Sequence, residues 1–179
     1  MPESRLLSDF VSYAHELEED AFRSAFGNAF FILADGLKFH PPEGFQPTAR
    51  IDLAALRAVT AGAPIPETPV FLVKRAEDSA FPFVSVGRTN NCDIMLPDES
   101  VSKLHAILKE IDGVIYIQDA DSQNGTSLGG AEAPIRGQGK APGLVSGSEV
   151  LFGAVRMHFV DAAGLRSRAA LLPKSVATL

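Results

Sequence analysis

The chain has 179 residues, 46% of them apolar and 21% charged, which is enough for one good core or one core with a small appendage, and too apolar for a disordered chain. A formal net charge of −6 offers no overall basic face to a nucleic acid, although a local basic pocket is compatible with it. The single cysteine, Cys92, excludes an internal disulfide and a cysteine-rich zinc site, and reads as a small buried hydrophobe. Residues Met1 to Phe10 carry Glu3 and Asp9 and lack a basic start ahead of an apolar stretch, so they do not read as a secretory signal. From Phe10 to Leu33 a helical pattern follows. Ala14, Leu17, Ala21, Phe22, Ala25, Phe26, Ala29 and Phe30 recur at three- and four-residue steps, with Glu16, Glu18, Glu19, Asp20 and Arg23 on the opposite side. Ser8 is the expected N-cap, Asp9 favours the positive end of the helix dipole, Gly27 is a candidate break, and Asp35-Gly36 ends the pattern. The longest apolar run, Ala29 to Ala34, is too short to cross a bilayer, so a soluble, cytoplasmic chain with no membrane partner is expected. His40-Pro41-Pro42-Glu43-Gly44 reads as a loop, and a second helix is expected from about Asp52 to Ala61. Residues 1–63 are therefore expected to form a helical N-terminal segment, with a stiff Pro-rich linker at 64–69.

From Val70 the pattern changes to short strands. Val70 to Val73, Phe83 to Val86, Asp93 to Leu96, His105 to Ile111, Val114 to Asp119, Glu149 to Phe152 and Val155 to Val160 are each bounded by turn residues. Asp112-Gly113 between two alternating runs is a hairpin signal. So many short strands over residues 70–162 argue for a mainly β sandwich or barrel. Residues 163–179 are a basic tail with Arg166, Arg168 and Lys174, read as disordered or a short helix.

Within the β part, Gly87-Arg88, Asp93-Ile94-Met95-Leu96, Val101-Ser102-Lys103-Leu104-His105-Ala106, Asp119 and Ser122-Gln123-Asn124-Gly125-Thr126 occur in order, followed by Leu144, Gly147-Ser148-Glu149-Val150 and Phe152-Gly153. In this ordered set the chain resembles the forkhead-associated (FHA) domain family over residues 70–160. Each motif alone is weak, and the order makes the resemblance specific. It implies a mainly β, FHA-type sandwich of about 10–11 antiparallel strands that reads phosphothreonine in partner proteins. The chemistry fits. A phosphothreonine carries nearly two negative charges and three strong acceptors, and Arg88 offers a planar fork of donors. Ser102 can donate its hydroxyl and its backbone N–H, Lys103 adds a second positive charge, and Asn124 can grip a peptide backbone with donor and acceptor together. Gln123 and Thr126 complete the expected peptide contacts, with Gly87, His105 and Gly125 as structural support. In the family the matching histidine braces the binding loops without touching the ligand, and the resemblance implies the same for His105, together with a small apolar pocket for the threonine methyl. Lys103 stands where the family usually has arginine, and Gln123 where threonine, serine or arginine is more usual. Both departures bear on affinity and on preference for flanking residues. Arg136 and Lys140, in the stretch Pro134 to Pro142, are expected to add a basic rim near the site.

The remaining histidines, His15, His40 and His158, have no metal-ligand spacing, and no metal or cofactor is expected. There is no P-loop, nucleophile elbow or kinase signature, and a site of arginine and lysine donors binds phosphate without hydrolysing it, so an enzyme is not expected. The leading expectation is a signalling adaptor downstream of a Ser/Thr protein kinase. The alternative is a phospho-independent scaffold, or a homodimer, using the aromatic stripe Phe10, Phe22, Phe26 and Phe30 of the N-terminal helix.

Overall fold

The structure, a computed structural model, describes residues 4–34, 65–77, 79, 81–133 and 138–176. Among these residues eleven strands form two sheets. They are β1 (Ser4–Leu6), β2 (Phe30–Leu33), β3 (Pro69–Leu72), β4 (Val84–Gly87), β5 (Ile94–Met95), β6 (Ala106–Ile111), β7 (Val114–Asp119), β8 (Thr126–Leu128), β9 (Ala131–Glu132), β10 (Glu149–Phe152) and β11 (Val155–Val160). The seven-stranded sheet runs β1-β3-β2-β11-β10-β8-β9, and the four-stranded sheet runs β5-β4-β6-β7. The mainly β, two-sheet sandwich expected from the sequence is thus present. Every described pair is antiparallel except β4 with β5, where Val86 faces Ile94 and Gly87 faces Met95. The reason lies at the foot of both strands. The Asp93 carboxylate accepts hydrogen bonds from the Ser85 N–H and hydroxyl, each at 2.7 Å, so the chain must return to the level of Ser85 before β5 begins.

Alternation of side chains sends every second residue of both sheets into a shared core. Phe31, Leu33, Phe71, Phe152, Met157 and Phe159 come from one sheet and Val86, Leu108, Ile115 and Ile117 from the other. A second core lies on the outer face of the seven-stranded sheet. There Phe30, Ile32, Val70 and Val160 pack against Leu7, Phe10, Val11, Ala14 and Phe22, and against Leu165, Ala169 and Leu172. The helices that cover this face are α1 (Val11–Glu16), α2 (Glu19–Phe26) and α3 (Ala162–Ala170), with a 3-10 turn over Leu7–Phe10. The molecule therefore has three layers, helices on a large sheet on a small sheet.

The N-terminal segment differs from the expected helical one. Its pattern breaks at Leu17, the second helix ends at Gly27, and Phe30–Leu33 is a strand hydrogen-bonded between β3 and β11. All four of its residues are buried, because the strand has one face on each core. A continuous apolar run of this length reads equally as buried strand or buried helix until its neighbours are known. Ser8 lies within the 3-10 turn and is not a cap, and the Asp9 carboxylate accepts the Leu6 N–H at 2.8 Å instead. Within the expected linker Pro66 and Glu67 form a turn and Pro69 opens β3, with the Leu7 N–H donating to Thr68 O and the Ser8 N–H to Pro66 O, each at 2.9 Å. The expected helix at Asp52 to Ala61 and the loop at His40 to Gly44 lie outside the described residues.

The aromatic stripe points inward. Phe10, Phe22 and Phe30 are buried and Phe26 is half-buried, with ring centroids 5.3 Å apart for Phe10–Phe26 and 4.9 Å for Phe22–Phe26. These rings are occupied by one another, so the scaffold or dimer surface expected from them is not exposed. Of the expected tail, Ala162–Ala170 is helix α3 and Lys174–Val176 a 3-10 turn. Asp161 caps α3 by accepting the Gly164 N–H at 2.8 Å, and Arg166 Nε donates to Leu17 O at 2.8 Å. Because β2 is internal to the larger sheet, a fragment spanning residues 69–162 should show no cooperative unfolding transition in denaturant, whereas the whole chain should. In the whole chain Phe22→Ala should lower stability by about 3–5 kcal/mol, read from the denaturation midpoint.

Candidate functional site

The loops at one end of the sandwich are held by contacts that begin at Gly87. A Cβ there would lie 2.2 Å from Lys103 O and 2.8 Å from Cys92 Sγ, so only glycine lets the segment before β6 press against the end of β4. The Thr89 hydroxyl, 2.9 Å from Lys103 O, closes the same contact. Arg88 follows at once, and its N–H donates to Ser102 O at 2.9 Å. The two residues are thereby fixed to each other through the backbone, and their side chains start from the same edge.

His105 joins this pair of loops to a third. The Ser102 N–H donates to His105 Nδ1 at 3.0 Å, which leaves the ring proton on Nε2 to be donated to Gly125 O, also at 3.0 Å. Gly125 has a φ of +73°, a conformation suited to glycine, and this turns its carbonyl toward the imidazole. The ring is fully buried. Burial holds its pKa below the ordinary histidine range, against the opposing pull of the Gly125 carbonyl and the Asp119 charge. Asp119 in turn accepts from the Ser122 N–H and hydroxyl, each at 2.7 Å, and from the Thr126 hydroxyl at 2.6 Å. Burial alone would raise its carboxyl, but these hydrogen bonds and the neighbouring His105 hold it below the usual carboxylate range. Asp93 behaves alike, its burial outweighed by donors from Ser85, Ala76 and Ser79.

Around this frame the side chains divide. Arg88, Lys103, Gln123 and Asn124 are exposed and Ser102 is half-buried. Among the described residues, neither the Arg88 guanidinium nor the Lys103 ammonium makes a hydrogen bond or an ion pair. Ser102 Oγ accepts the Gln123 N–H at 3.0 Å, so its hydroxyl proton is left to donate outward. Asn124 Nδ2 donates one hydrogen to Ser100 O at 2.8 Å, keeping its second amide hydrogen and its Oδ1 for another partner. Two expectations change. The Ser102 N–H, expected as an anion donor, is taken by His105. Thr126, expected as a peptide contact, is buried with its hydroxyl bonded to Asp119, and belongs with Gly87, His105 and Gly125 in the support. Of the expected basic rim, Arg136 lies outside the described residues and Lys140 is exposed.

Ser100 escaped the sequence reading. Its N–H and hydroxyl donate to Asp98 Oδ1 at 2.8 and 2.6 Å, its Oγ accepts the Ala154 N–H at 2.9 Å, and its carbonyl holds Asn124. The signal available was Asp98-Glu99-Ser100, an aspartate placed to bond the backbone two residues on. Among the described residues no group of His, Cys, Asp or Glu is placed to hold a metal ion, and no helix is long and apolar enough to cross a membrane.

The loops that converge here are those between β4 and β8, with the β10–β11 turn behind them, and residues 84–153 match the family model of the FHA domain. This part of the chain is an FHA domain. The match opens at β4 and closes at the β10–β11 turn, so β1, β2, β3, β11 and the helices lie outside it. Similar solved structures include the FHA domain of a Chlamydia trachomatis protein, at 18% identity over 75% of this chain and 97% of that one, with a TM-score of 0.48. The kinase-interacting FHA domain of the Arabidopsis kinase-associated protein phosphatase is also 18% identical, over 75% of this chain and 93% of that one, with a TM-score of 0.45. A third, from work on phosphothreonine-dependent FHA domain interactions, is 16% identical over 74% of this chain and 95% of that one, with a TM-score of 0.44. No curated protein matches the chain.

The buried imidazole has a consequence for stability. Because the folded-state pKa of His105 is depressed, the unfolded chain binds its proton first, so this contribution is complete above about pH 6.5 and declines as pH falls toward the folded value. Asp93 and Asp119 contribute in the same sense at lower pH, below about 3.9. Denaturation midpoints measured from pH 7.5 to 5.0 should therefore fall with acidification, and His105→Gln should flatten that slope while lowering the midpoint at pH 7.5.

Proposed function

We propose that the FHA domain recognises phosphothreonine in a partner protein, with Arg88 and Lys103 neutralising the phosphate, the Ser102 hydroxyl donating to one of its oxygens, and Asn124 holding the peptide backbone. The observation that carries this reading is the backbone bond from the Arg88 N–H to Ser102 O, which joins a guanidinium without a partner among the described residues to a residue whose hydroxyl is free to donate. A phosphate dianion with three acceptor oxygens suits that pair better than a carboxylate does, since the forked donor and the hydroxyl approach from different directions. Asn124 is held by Ser100 with half of its amide unspent, as a backbone clamp requires. The chain then acts as an adaptor, docking onto proteins phosphorylated by a Ser/Thr protein kinase. Gln123 stands at the rim, where it faces residues beside the phosphothreonine. The burial of Phe10, Phe22 and Phe30 argues against the scaffold alternative.

The test is fluorescence anisotropy with a degenerate phosphothreonine peptide library and its unphosphorylated counterpart. Binding should require the phosphate and weaken by about 10- to 100-fold in Arg88→Ala, the cost of a charge-assisted hydrogen bond to an exposed anion. Arg88→Lys keeps the charge but loses the fork, and should recover only part of the loss. Equal affinity for the unphosphorylated library, or full affinity in Arg88→Ala, would sink the proposal.

A further inference from the structure

The two sheets are covered unequally. The three described helices and their apolar core pack on the seven-stranded sheet, while the four-stranded sheet turns a different face outward. Val86, Leu108, Ile115 and Ile117 point into the inter-sheet core, so alternation directs Ile107, Lys109 and Ile111 of β6, and Tyr116 and Gln118 of β7, to the opposite side. There they line a groove of about 380 Å³ together with Lys140, which stands on the segment running alongside β7. That segment forms a wall, with the Ile117 N–H donating to Pro142 O at 3.1 Å and Gly143 bridged to Tyr116. The floor is apolar and opens to solvent toward its far end, where Ile111 is 54% and the neighbouring Val114 38% exposed; Tyr116 is half-buried and Ile107 is buried.

The polar part of the lining has one sign. Lys109 and Lys140 are exposed, make no hydrogen bond or ion pair among the described residues, and share the groove with no acid. Glu110, next to Lys109, alternates to the other side of the strand. In a chain with a net charge of −6 this is a local positive strip over an apolar floor. Its near end abuts the candidate phosphate loops. Ile107 follows His105 by two residues, and Gln118 precedes Ala120, whose N–H donates to His105 O at 2.9 Å. The strip then runs along β6 for about 13 Å, four steps of roughly 3.3 Å each.

We infer that this strip is a second binding surface for the same partner, taking an extended segment in which acidic and apolar residues alternate, beside the phosphothreonine. The inference rests on the reading of the loop site under Proposed function. Alternation in an extended peptide places apolar side chains on Ile111 and Tyr116 while carboxylates reach Lys109 and Lys140. Exposed pairs of this kind are individually weak, and the tether to the phosphate site makes their association intramolecular.

The experiment compares a short phosphothreonine peptide selected from the library with the same peptide extended by six residues, the length of β7, alternating Glu with Leu. The extension is placed at either end in separate probes. One extended form should bind about five- to tenfold tighter than the short peptide. That gain, taken as the ratio of the extended to the short peptide's affinity within each variant, should disappear in the double variant Lys109→Glu, Lys140→Glu and shrink in high salt. An extension that adds nothing at either end, or a gain that survives the two lysine reversals, overturns the inference. Should the short peptide itself fail to bind, the loop reading fails. The unphosphorylated extension then reports on the strip alone: lysine-dependent binding supports it, and no binding overturns it. Self-association of the free protein that is lost in the double variant would assign the strip to a second copy and would also overturn it.

Discussion

The buried imidazole of His105 is the contact on which the candidate site depends. It accepts from the backbone of one loop, at Ser102, and donates to the backbone of another, at Gly125. A buried ring in this position must remain neutral, because a proton on Nδ1 would oppose the Ser102 N–H. The surrounding carboxylates are charged for the complementary reason. Asp93 and Asp119 are each supplied with several donors, and a carboxylate so supplied stays ionised even when buried. Among the described residues no buried side-chain nitrogen or oxygen lacks a partner, so the network is complete, and a complete network is rigid.

That rigidity separates two kinds of polar side chain within a few residues of chain. Ser85, Asp93, His105, Asp119 and Thr126 are buried and fully occupied, whereas Arg88, Lys103, Gln123 and Asn124 stand exposed with donor capacity unspent. The exposed set resembles a surface built to meet an anion, and its supporting set needs no ligand to hold its shape. Preorganisation of this kind limits the ordering cost of binding.

Behind the loops, the helices have a structural role. They close the outer face of the larger sheet with a second apolar core, and β2, buried on both faces, joins the two cores. Among the described residues no helix packs on the smaller sheet, and its outer face carries Lys109 and Lys140 without an ion pair there. The asymmetry gives the domain one side spent on stability and another open to solvent, both reached from the same loop end.

Much of this was legible in the residues. Short alternating runs with turn residues between them argue for a sandwich or barrel, and Gly87, Arg88, Ser102, His105 and Asn124 could be singled out through the family resemblance, which their order along the chain carries. The Asp112-Gly113 hairpin is equally local. What local pattern could not decide were questions of partnership. Phe30 to Leu33 is strand and not helix because β3 and β11 bond it on both sides; its apolar run suits either form. Thr126 is support and not contact because Asp119, seven residues earlier, takes its hydroxyl. The β4–β5 pair is parallel because Asp93 is drawn to Ser85. Ser100 gained its role from neighbours at Asn124 and Ala154, distant in sequence. The sequence by itself determined which residues have the chemistry to meet a phosphate and roughly where each strand lies. Only the tertiary structure decided which of them are free to do so, because a donor's availability depends on the neighbours that long-range pairing brings to it.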